Sequence, residues 1–185
     1  AFKTISTAAA ADSGVHSGAI DIDASGTGTV NLAGFLDATG AARTTAGASA
    51  SNGGAVTINT VNGAIAVNSI TTSGGTANGV VGGDAGLISI DGSDNTIALN
   101  GNLTAAGGAG ASQGAGGDII LGSAATDPML LGAAITVDSG ATTGDITFNG
   151  TIDNAHALSI ARRTGTVTVN GDTGTAVPLS SVAIS

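Results

Sequence analysis

Val56-Thr57-Ile58-Asn59-Thr60-Val61-Asn62-Gly63-Ala64-Ile65-Ala66-Val67-Asn68-Ser69-Ile70 decides the fold. Val56 and Ile58 are two apart, as are Ile65 and Val67, so each pair points to one side of an extended strand. Asn62-Gly63 supplies a bend between the pairs, because both residues tolerate tight corners. A third, shorter apolar piece follows at Ile70. The same three-part phrase returns as Ile88/Ile90, Ile97/Leu99 and Leu103, and precedes as Ile20/Ile22, Val30/Leu32 and Leu36.

Between phrases lie four tracts of Gly, Ala, Ser and Thr: Ser6–Gly18, Asp37–Gly54, Ser73–Gly86 and Ala105–Gly117. The residues before them, Ile5, Leu36, Ile70 and Leu103, are spaced by 31, 34 and 33. Periods of this size belong to stacked architectures. Three strands per turn predict an all-β, right-handed parallel β-helix, with each strand pairing with its counterpart one turn on, roughly 4.8 Å away. About six turns fit the chain as one solenoid domain over 1–185, with the Gly-rich tracts leaving from one corner as loops of free length. Ile119/Leu121, Met129/Leu131 and Ile135/Val137 continue the three faces. Ile146/Phe148, Leu158/Ile160, Val167/Val169 and Val182/Ile184 follow, with Leu158/Ile160 and Val182/Ile184 read as second-face strands.

Composition supports this class. Aromatics are 2% of residues, there is no Cys, Trp or Tyr, and Gly contributes 32 of 185 residues, so the core is built of small aliphatics suited to narrow layers. The net charge is -9 and every acidic residue is Asp, a turn former rather than a helix former. The few basic residues form no patch, which argues against nucleic acid. No apolar run reaches the roughly 20 residues of a membrane-spanning helix, so no membrane insertion is expected. The absence of an initiating Met and of a signal peptide reads as a mature or excised segment.

Gly144-Asp145-Ile146-Thr147-Phe148-Asn149-Gly150-Thr151-Ile152-Asp153, Gly165-Thr166-Val167-Thr168-Val169-Asn170-Gly171 and Pro178-Leu179-Ser180-Ser181-Val182-Ala183-Ile184 resemble repeats of giant bacterial surface adhesins. The region from Gly74 to Leu121 is similar to filamentous-haemagglutinin-like exoproteins. This resemblance implies export to the cell surface or medium and a structural or adhesive role, with flanking repeats, other copies, or host and surface glycans as partners.

The residues point to assembly rather than catalysis. The chain starts on a third-face piece holding Ile5 and ends on Val182 and Ile184, so copies laid head to tail are expected to stack in phase through these residues. The outward positions of the second face, read as Asn31, Ala66, Ala98, Leu130, Ser159 and Ala183, form a flat surface of small side chains, with Ala66, Ala98, Leu130 and Ala183 the lateral packing residues. An enzyme needs paired carboxylates at defined separation, whereas Asp21/Asp23 and Asp91/Asp94 read as solvated strand edges. His16 and His156 read as exposed loop histidines, and Arg162-Arg163 as a solvated corner. Asp84 and Asp118, each after a Gly-Gly pair, are weak calcium candidates if their turns stack them. No other cofactor is indicated. The alternatives are an ice-binding solenoid, which needs aligned threonines such as the partial row Ser6, Asp37, Thr71, Thr104, Thr136, or a polysaccharide-binding or -cleaving β-helix.

Overall fold

The computed structural model describes residues 4–185. It contains strands and no helix, and every strand pairing is parallel. Three sheets of six, five and seven strands form the three faces of a β-solenoid. The first face holds Ile20–Ala24, Val56–Thr60, Ile88–Asp91, Ile119–Leu121, Ile146–Phe148 and Val167–Val169. The second holds Val30–Leu32, Ile65–Val67, Ile97–Leu99, Pro128–Leu131 and Thr151–Asp153. The third holds Thr4–Ser6, Phe35–Asp37, Ile70–Thr71, Leu103–Thr104, Ile135–Gly140, Ala157–Arg162 and Ser181–Ile184.

The period-two alternation places one side of each strand inside, and the register stacks like on like. Ile22, Ile58, Ile90, Leu121, Phe148 and Val169 form one column of the first face. Ile5, Leu36, Ile70, Leu103, Val137, Ile160 and Ile184 form the corresponding column of the third. Their middle members are buried, including Ile58, Ile90, Ile70, Leu103 and Phe148. Each such side chain contributes about 1.5–3 kcal/mol relative to leaving it in water.

The last two turns differ from the sequence reading. The second face continues through Thr151–Asp153, where Ile152 stacks on Met129. Ala157–Arg162 and Ser181–Ile184 belong to the third face, so Ser159 and Ala183 lie level with Thr136 and not with Leu130. Ala183 is therefore no member of the second-face surface. The reason is turn length: the first-face step falls from 27 residues (Ile119 to Ile146) to 21 (Ile146 to Val167), and the spacing alone no longer separates the faces. The premise of the head-to-tail phase, a chain that ends on the second face, is replaced with it: Ile5 and Ile184 are the two ends of one column in one sheet.

Candidate functional surfaces

The Gly-rich tracts are the most distinctive part of the molecule, and they are not free loops. The third-face ladder runs on past its strands. Ala38 N–H donates to Thr71 O at 2.8 Å, Gly40 to Ser73 O at 2.8 Å, Thr72 to Thr104 O at 2.9 Å and Gly74 to Ala106 O at 3.0 Å. The returning limbs are laddered likewise: Ala50 donates to Val81 O at 3.2 Å, Gly82 to Ser112 O at 2.9 Å, Gly53 to Asp84 O at 2.8 Å and Ala85 to Ala115 O at 2.9 Å. At the corner the two limbs of each tract are tied together, Gly54 to Ala38 O, Gly86 to Thr72 O and Gly117 to Ala105 O, all at 2.8 Å. The tracts thus form a two-limbed fin standing out from the solenoid.

Within the fin, backbone meets backbone. Gly75 donates to Ser51 O at 2.9 Å, Gly83 to Gly75 O at 2.9 Å, Gly108 to Gly83 O at 2.8 Å and Gly114 to Gly108 O at 3.0 Å. The limbs lie so close that a Cβ on Gly83 would overlap the carbonyl of Ser51, and one on Gly108 the carbonyl of Gly75. Only glycine satisfies both the hydrogen bonding and this approach. Ala38, Ala41, Thr72 and Ala105 are buried at the fin base, where Thr72 Oγ1 donates to Gly86 O at 2.7 Å. The glycines therefore form a second core and do more than serve bends.

Polar side chains pin one turn to the next. His16 Nδ1 accepts from Asn52 N–H at 2.9 Å, Asn52 Oδ1 from Asp84 N–H at 2.9 Å, and Asp84 Oδ1 from Ala115 N–H at 2.7 Å. Asp118 Oδ1 accepts from Asp145 N–H at 2.9 Å, and Asp145 Oδ1 from Thr166 N–H at 2.6 Å. Because Ile88 pairs with Ile119, Asp118 is level with Leu87 and Asp84 with Ala115. The two calcium candidates do not stack. No group of three or more His, Cys, Asp or Glu placed to hold a metal ion occurs among the described residues.

Asp23 and Asp91 do similar work, Asp23 Oδ1 accepting from Asn59 Nδ2 at 3.0 Å and Asp91 Oδ1 from Ser123 Oγ at 2.9 Å. Two further acids, Asp127 and Asp153, are buried. Asp127 accepts from Ser123 N–H at 2.6 Å and Ala124 N–H at 3.0 Å through Oδ2, and from Asp94 N–H at 3.1 Å through Oδ1. Asp153 accepts from Ala176 and Val177 N–H at 3.0 and 3.3 Å. The Asp127-Pro128 turn signal was available for the first; nothing local marks the second.

Asn31, Ala66, Ala98 and Leu130 do form one outward column of the second face, with Leu130 39% exposed. That column then passes to Asp153. The outward third-face row reads Ser6, Asp37, Thr71, Thr104, Asp138, Ala161. Thr136 sits one residue before Val137, the partner of Leu103, and is level with Asn102. Only Thr71 and Thr104 align in that row. Val182 and Ile184 project in line with the core yet are 52% and 56% exposed.

The fin ends where the tract after the third face shrinks to Asp138–Gly144. Beneath it lies a notch of about 420 Å³, lined in part by Ala106, Gln113, Ala161, Arg162 and Arg163. Arg162 Nη1 donates to Gly165 O at 2.7 Å, while its buried Nε has no partner.

No family model, curated protein or solved structure matches this chain.

Proposed function

We infer that the chain is a non-catalytic segment of an extracellular bacterial stalk, a rod whose task is to hold length and stiffness. The observation that carries this reading is the unbroken third-face column from Ile5 to Ile184. Every turn is locked to the next by apolar stacking, by ladder hydrogen bonds and by side chains spent on neighbouring backbone. Solenoids of this kind draw stability from nearest-neighbour interfaces, which suits a load-bearing spacer. The resemblance to adhesin repeats supports the extracellular setting and names flanking solenoid repeats as the neighbours along the rod.

Single-molecule pulling from the two ends tests this. A stalk segment resists extension and releases turns in steps, each turn of some 33 residues adding about 110 Å of contour length. Smooth extension without force peaks would overturn the reading.

A further inference from the structure

The lower edge of the fin carries unmet hydrogen-bonding groups in register. Each upper tract donates downward from equivalent positions. Gly40, Arg43 and Ala50 donate to Ser73, Thr76 and Val81; Gly74, Ala77 and Gly82 donate to Ala106, Ala109 and Ser112. In the last long tract the same three positions are Gly107, Gly110 and Gln113. Their N–H groups find no acceptor among the described residues. The flanking donors do find one: Ala105 bonds Asp138 O at 2.8 Å and Gly116 bonds Thr142 Oγ1 at 2.9 Å. The short segment Asp138–Gly144 thus covers the base of the edge and leaves its middle bare. The carbonyls of Gly110 and Ala111 accept no hydrogen bond among the described residues either.

We propose that this edge and the notch below it bind the glycine-rich fin of a second copy of the chain, so that two rods join side by side, fin edge to fin edge. The contact continues an interface the fin already makes with itself, tract upon tract. A two-fold arrangement is self-complementary and closed: the donors Gly107, Gly110 and Gln113 of each copy face the free carbonyls of the other, and the rod bodies stay on opposite sides. The incoming tract Ala105–Gly117 carries no charge of its own, and Asp138, Arg162 and Arg163 line the space it would enter. An unpaired backbone edge of this kind is a template for another chain.

Sedimentation of the 185-residue chain with and without two substitutions tests the proposal. Ala161→Trp fills the notch from an outward position of the third face, and Arg163→Asp reverses an exposed charge there. The wild type is expected to sediment as a dimer at tens of micromolar. Both variants are expected to weaken dimerisation at least tenfold while keeping the wild-type circular dichroism and melting temperature. In the dimer, amide exchange at Gly107, Gly110 and Gln113 slows. A wild type that stays monomeric to the solubility limit overturns the proposal. So does a dimer that both variants leave intact, with these three amides exchanging as in the monomer. Neither outcome touches the stalk reading, which rests on axial stacking within one copy.

Discussion

Gly108 N–H donates to the carbonyl of Gly83 at 2.8 Å, joining the outgoing limb of one tract to the returning limb of the tract above. Both residues are buried. A stretch that looks like a flexible linker by composition is here held by backbone groups on neighbouring turns.

Gly108→Ala is therefore expected to destabilise the protein by about 1–3 kcal/mol, since the added methyl has only fixed backbone to displace. Gly28→Ala is the control: nothing lies within 4 Å of the added atom, and the change stays within about 0.5 kcal/mol. Urea midpoints at constant slope measure both.

Truncation should cost according to place along the rod. Leu103 is fully buried and sits mid-column, so Leu103→Ala loses about 2–5 kcal/mol. Val182, in line with the core but half exposed, gives less than about 1 kcal/mol on the same change. Equal losses in denaturant titrations would contradict the layered packing.

Asp127 is the buried acid with the most to lose. Asp127→Ala leaves three backbone donors without their carboxylate, an expected cost of about 2–3 kcal/mol. Asp127→Asn keeps one acceptor oxygen and should fall between the variant and the wild type. Thermal unfolding of the three proteins ranks them.

The first tract carries a pH-sensitive tie. Thr44 donates to Asp12 through its hydroxyl, at 2.5 Å, and its N–H, at 2.8 Å, and these bonds hold the Asp12 carboxyl below its ordinary value. A carboxyl depressed in the folded state adds stability that is present above its unfolded pKa and is lost as pH falls through the lower folded one. Amide exchange at Thr44, taken relative to the intrinsic rate at each pH, should then be flat from neutral pH down to about pH 4 and rise below it. Asp12→Asn should abolish that rise, and a rise beginning near pH 6 would assign it to another group.

The solenoid is legible from the residues alone. Pairs such as Val56/Ile58 and Ile88/Ile90 state the inward side, and their spacing states the turn, because strand alternation and repeat length are local properties. The predicted partners pair in the structure on all three faces through four turns, from Ile20/Ile22 to Ile135/Val137. Beyond Phe148 the turn shortens, several apolar pairs compete for two faces, and only assembled register assigns Ile152 to the second face and Val182–Ile184 to the third. The fin was illegible for a deeper reason. Glycine has no side chain to pattern, so what Gly75, Gly83 and Gly108 do is written in backbone contacts between residues on different turns, which exist only once the turns are stacked.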